Sequence, residues 1–77
     1  MTRPTLDQLE PGQHAVVVSI DGPASIARRL MELGLAPGTP VEMVRRAPLG
    51  DPLELRVRRV HLSIRRSEAA HIRVDPA

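Results

Sequence analysis

Apolar and polar positions alternate with a period of two along several short stretches of this chain, and with a helical period along one. In HAVVVSI, residues 14–20, Val16, Val18 and Ile20 share one parity, while Ala15, Val17 and Ser19 share the other. The larger side chains make the first set the expected core face of a strand. In TPVEMVRRA, Val41, Met43 and Ala47 point one way, and Glu42, Val44 and Arg46 the other. Arg45 shares the apolar parity, so the strand either leaves the core there or bulges. The cleanest alternation is LELRVR, with Leu53, Leu55 and Val57 inward and Glu54, Arg56 and Arg58 outward. Val60, Leu62 and Ile64 continue it with opposite parity, which requires a bend or bulge at Arg58-Arg59. Ile72 and Val74 mark a last short strand, after a single helical turn over Ser67 to Ala70.

One segment breaks the pattern. In PASIARRLMEL, Ile26, Leu30 and Leu33 recur at i, i+4 and i+7, giving one apolar stripe of about three helical turns. Pro23 suits the first turn, where a missing N–H costs nothing, with Asp21 or Gly22 as the expected cap. Gly34 ends the helix as a left-handed cap and Leu35 packs back over the last turn. Arg28 and Glu32 lie on the opposite, solvated face as an i, i+4 pair.

The punctuation is proline and glycine. Leu9-Glu10-Pro11-Gly12 and Leu35-Ala36-Pro37-Gly38 each lead into an apolar strand, through the pair that suits the centre of a type II turn. PLGDP, residues 48–52, is short enough to close a hairpin. The result is a mainly β fold of about five short strands with one α-helix after the first. Two flat layers of so few strands would leave open edges, so a small, closed or nearly closed barrel is expected.

Composition narrows this further. A chain of 77 residues is one domain, spanning 1–77, and a domain of that size buries only about 60% of its unfolded surface. There is no Cys, Phe, Tyr or Trp, so the core is aliphatic and disulfides and thiolate metal sites are excluded. No stretch reads as a signal peptide or a membrane-spanning helix, and the expectation is a soluble, cytoplasmic protein.

Charge is placed unevenly. Residues 1–44 carry three arginines against five acids, net −2, whereas residues 45–66, RRAPLGDPLELRVRRVHLSIRR, carry seven against two, net +5. Three readings of that stretch stand side by side: a solvated face of the barrel, a docking face for an acidic protein surface, or a nucleic-acid grip. The absence of any aromatic ring to stack a base disfavours the last. The candidate contact residues are Arg46, Arg56 and Arg58, with Leu49 and Asp51 of the adjoining loop.

The run RLMELGLAPGTPVEMVRRAPLGDPLELRV, followed by HLSIRRSEAAHIRV, resembles the FeoA family of bacterial ferrous iron uptake. The likeness runs from about Leu6 to Val74, carried in order by LGLxPG, APLGDP and LxIRxxEA. It implies an SH3-like barrel that does no chemistry and assists FeoB, the membrane transporter for ferrous iron with a cytosolic nucleotide-hydrolysing domain. The same partner would recruit the chain to the inner membrane. Family members often carry glycine near the corner where Arg58-Arg59 stands. The domain is also similar to the C-terminal module of iron-dependent repressors of the DtxR type, for whose winged helix 77 residues leave no room. A basic nucleic-acid-binding or metal-sensing regulatory module is therefore the alternative function.

The residues themselves offer no catalytic constellation. There is no Ser-His-acid context, no phosphate-binding glycine loop and no close carboxylate pair, and Gly50-Asp51-Pro52 is a turn. No cofactor is expected. His14, His61 and His71 are the only imidazoles, and none lies three or four residues from another. On the strand pattern His61 and His71 face outward, roughly 17 Å apart at strand rise. They are expected to be exposed histidines forming no metal site, with weak transition-metal capture, shared with a surface acid or a second copy, as the alternative. Self-association is compatible with short open edges.

Overall fold

A computed structural model describes residues 3–77. Five antiparallel strands form one sheet: β1 His14–Ile20, β2 Pro40–Arg46, β3 Leu53–Val57, β4 Val60–Ile64 and β5 Ile72–Pro76. Their spatial order is β4-β3-β2-β1-β5, so every neighbouring pair except β1 and β5 is consecutive in sequence. Helix α1, Ala24–Glu32, follows β1, and the short α2, Arg66–Ala69, joins β4 to β5. All five strands contribute inward side chains to a single core cluster, which rolls the sheet around it. β4 and β5 share no ladder and are joined in sequence through α2.

The two Pro-Gly turns are related in space as well as in sequence. Each closes an i to i+3 bond, Gln13 N–H to Glu10 C=O at 3.0 Å and Thr39 N–H to Ala36 C=O at 3.1 Å. Each glycine then donates to the strand that follows the other turn: Gly12 to Met43 C=O, and Gly38 to Val17 C=O, both at 2.7 Å. The repeated LxPG pattern thus sets β1 and β2 in register against each other.

Helix α1 ends as the sequence indicates. Gly34, at φ +101°, donates to Met31 C=O at 2.9 Å and Leu35 to Leu30 C=O at 3.1 Å, the double bond of a Schellman motif. Leu30 and Leu35 are fully buried. The N-terminus differs from expectation, because Pro23 is the N-cap and no side chain caps the helix. The carboxylate of Asp21 is instead held by the Arg73 guanidinium at 3.0 Å, and its N–H continues the β1–β5 pairing to His71 C=O. Leu33 falls on the C-cap and stays 38% exposed, so the buried stripe shortens to Ile26 and Leu30.

The inward face of β1 is Ala15 and Val17, not Val16 and Val18. The β1–β5 register slips between Val17 and Ser19, and that extra residue returns Ile20 to the core side. Three consecutive valines leave parity undecided in the sequence; pairing with β5 decides it. A second bulge lies in β2 between Met43 and Arg45, so of the two expectations for Arg45 the bulge is the correct one. β3 and β4 form an uninterrupted hairpin whose register change is a two-residue turn at Arg58-Arg59. Val60, expected inward, is 57% exposed because the hairpin tip projects beyond the core, while Ile64 at the other end is buried.

The N-terminal segment adds a feature the alternation did not reveal, a 3-10 turn at Leu6–Gln8 that buries Leu6 and Leu9. Its signal is the spacing Thr5-x-x-Gln8, a capping box in which the Gln8 carboxamide accepts the Thr5 N–H at 2.9 Å.

Candidate docking face

Outward residues of β2, β3 and β4 line up because the strands pair in register. Glu42 lies opposite Arg56, and Arg56 opposite His61. The Arg56 guanidinium is 4.0 Å from Glu42 Oε1 and donates to His61 Nε2, at 3.3 Å from Nε and 3.1 Å from Nη2. Guanidinium has no acceptor, so in this contact Arg56 donates and Nε2 of His61 accepts. His14, Pro40, Val41, Glu42, Arg56 and Arg58 line a shallow cavity of about 190 Å³ beside this row. Arg58 and Arg59, at the hairpin tip, have no acidic partner among the described residues. The face presents one guanidinium, Arg56, oriented between Glu42 and His61, with Arg58 beside it in the turn, and a guanidinium so placed suits a partner carboxylate.

The five candidate residues do not gather into one patch. Arg56 is on the outward face of β3 and Arg58 follows in the β3–β4 turn, and both line the same shallow cavity. Arg46 does not join them: beyond the β2 bulge its guanidinium turns to the carbonyls of Asp7 and Leu9, at 2.9 and 2.6 Å. A charge that sequence alone assigns to the surface row is used to cap the 3-10 turn. Leu49, 97% exposed at the tip of the β2–β3 loop, and Asp51 lie at the other end of β3, a five-residue strand or roughly 17 Å from Arg58. Asp51 Oδ1 accepts the Arg66 N–H at 3.0 Å, tying that loop to the start of α2.

His61 faces outward as expected. His71 lies in β5's approach on the far edge of the sheet, partly buried, its ring beside Gly22. Among the described residues no three His, Cys, Asp or Glu side chains converge. No helix among them is long and apolar enough to cross a membrane.

A family model described as the FeoA domain matches residues 5–76, nearly the whole chain. The chain belongs to the FeoA family. Its members are non-catalytic accessory proteins of ferrous iron transport with an SH3-like fold. A relative in Porphyromonas gingivalis, described as a fusion of Fe(2+) transport protein A with the Fe(2+) transporter FeoB, is 36% identical over 70 residues. That match takes in 91% of this chain and 8% of the fused relative, so the chain spans less than a tenth of it. The solution structure of FeoA from Chlorobium tepidum superposes with a TM-score of 0.87 at 40% identity, over 94% of this chain and 69% of that one. FeoA from Stenotrophomonas maltophilia, an SH3-domain protein crystallised in complex with zinc, gives 0.80 at 43% identity, over 92% and 88%.

Proposed function

We propose that this FeoA domain acts by docking on the cytosolic part of a FeoB-type ferrous iron transporter, biasing its conformation or assembly. The observation that carries the reading is the Porphyromonas gingivalis relative, in which the two modules are one polypeptide. Covalent linkage holds two partners at an effective concentration of order millimolar, which supports association too weak to be seen at cellular levels of the separate chains. Docking of this kind places the chain in the cytoplasm, gathered at the inner membrane by its partner.

The contact we assign is the outer face of β3, through Arg56 and Arg58. Both are exposed, Arg56 on a strand held on each side and Arg58 in the turn that follows it, and Arg58 has no acidic partner among the described residues. Leu49 and Asp51 form a second, separate contact at the loop end of the hairpin. Retention of the purified chain on the transporter's immobilised cytosolic domain tests this. The R56E/R58E chain, folded by circular dichroism, is expected to lose retention at low salt, and L49A to weaken it. Retention of the unaltered chain that fails at low salt, or a double variant that binds undiminished, would overturn the assignment.

A further inference from the structure

The two edges of the sheet are treated differently. The outer edge of β5 is covered by the N-terminal segment: Thr5 bridges to Arg73, Val74 N–H reaches Pro4 C=O at 3.0 Å, and the Arg73 guanidinium takes Arg3 C=O at 3.0 Å. The outer edge of β4 pairs with nothing among the described residues. A two-residue hairpin puts its first pair, Val57 and Val60, in the hydrogen-bonded position, and alternate pairs follow. Leu62 and Ile64 therefore bond to β3, whereas the N–H and C=O groups of His61 and Ser63 point away from the sheet. The ring of His61 is drawn to Arg56 on the outer face, which leaves that edge clear.

Natural sheets usually protect such an edge with proline, a charge or a bulge within the strand. VHLSI has no proline and no formally charged residue, and its register is unbroken. The charges stand at its ends instead, Arg58 and Arg59 before it, Arg65 and Arg66 after it, all exposed. Two cavities adjoin the strand. One of about 290 Å³, at the Val60 end, is lined by Leu33, Ala36, Val57 and Val60. The other, of about 370 Å³ at the Ile64 end, is lined by Arg29, Asp51, Ser63, Ile64, Arg65 and Glu68, with Arg29 paired to Glu68 and Asp51 to the Arg66 N–H. A chain running along β4 would have an apolar pocket at one end, and beyond each end the side chains of Arg58 and Arg59 or Arg65 and Arg66, none of which has an acidic side-chain partner among the described residues.

We infer that the β4 edge binds an extended segment of a partner protein by strand addition, and that this segment carries acidic residues on both sides of a short uncharged stretch. A second copy of the same chain fits badly. Antiparallel pairing about Leu62 would set His61 against Ser63 with good geometry, but would also bring Arg59 against the other copy's Arg65 and Arg58 against its Arg66. Like charges directly opposite across a ladder are destabilising. An acidic segment turns the same four positions into attractive pairs. This site shares Arg58 with the Arg56 face but uses the backbone edge of β4, and it does not depend on the partner being a transporter.

The test uses the isotopically labelled full chain and a nine-residue synthetic peptide with an alternating valine–threonine centre and two aspartates at each end. At saturation, amide exchange at His61 and Ser63 is expected to slow by about tenfold or more, while Val60 and Leu62, already bonded to β3, stay unchanged. Methylating the peptide's backbone nitrogens at alternate residues is expected to abolish binding for one parity and spare it for the other. A peptide with lysine ends is expected to bind about tenfold more weakly, and the R59E/R65E chain to reverse that preference. No protection by the aspartate peptide, equal binding of the two charge forms, or indifference to methylation parity would overturn the inference. So would protection of His61 and Ser63 on raising the protein concentration alone, which would name a second copy, or protection by a single-stranded RNA in preference to the peptide.

Discussion

Arg29 on α1 and Glu68 on α2, 39 residues apart in sequence, form an ion pair at the open side of the barrel. The Arg29 side chain is 62% exposed, whereas that of Glu68 is 9% exposed. The second oxygen of Glu68 accepts the Arg65 N–H at 2.9 Å, so one carboxylate both caps α2 and holds α1. The two partners are therefore unequal in what their removal exposes.

Glu68→Ala leaves a shielded N–H and a guanidinium without their acceptor and is expected to cost about 2–3 kcal/mol. Arg29→Ala removes a largely solvated partner and is expected to cost less than about 1 kcal/mol. Urea unfolding checks both, read as a change in midpoint at constant slope. Equal losses would mean that the ion pair, and not the cap, dominates.

Arg58 has φ +60°, alone among the non-glycine residues described, and it is the first of the two residues in the β3–β4 turn. That position of a tight hairpin is normally glycine. Arg58→Gly is expected to stabilise the domain by about 1 kcal/mol, raising Tm by about 4–8 °C. Arg58→Ala keeps the Cβ and is expected to give no such gain, which separates backbone relief from loss of charge. Differential scanning calorimetry reads both.

Arg46→Met removes the donor to the Asp7 and Leu9 carbonyls while keeping an apolar stem. The expected cost is about 1.5–3 kcal/mol, the range for hydrogen bonds from a charged group. Amide exchange around Leu6 and Leu9 should quicken first, because the 3-10 turn loses its clamp. Retention on the transporter's cytosolic domain should persist, in contrast to R56E/R58E.

Val17→Ala and Val16→Ala make the parity of β1 measurable. Val17 is 1% exposed and packs in the core, and its truncation is expected to cost about 2 kcal/mol. Val16 is 36% exposed, and its truncation is expected to stay within about 0.5 kcal/mol. The opposite ranking in thermal unfolding would restore the face suggested by alternation.

Much of the fold was legible because its signals are local. LELRV alternates large and charged side chains so sharply that only one face can be inward, and the Schellman end of α1 needs only Gly34 and Leu35. β1 was not legible, since Val16, Val17 and Val18 look alike from either side and the deciding bulge exists only against β5. The candidate site was half legible. Arg56 faces outward as parity indicates, whereas Arg58 falls in the turn after β3, and the fate of Arg46 depends on a bulge and on carbonyls 37 and 39 residues away.

By itself, the sequence determined the number and order of the strands, the helix after the first, and the turns between them, because period and punctuation act over a few residues. It also determined an aliphatic core and a basic stretch between residues 45 and 66. Tertiary structure alone decided which valine of β1 is buried, which arginine caps a turn, that Arg29 meets Glu68, and which sheet edge is left bare. Those outcomes depend on which backbone groups of distant segments come within hydrogen-bonding reach, and no local pattern of side chains encodes that distance.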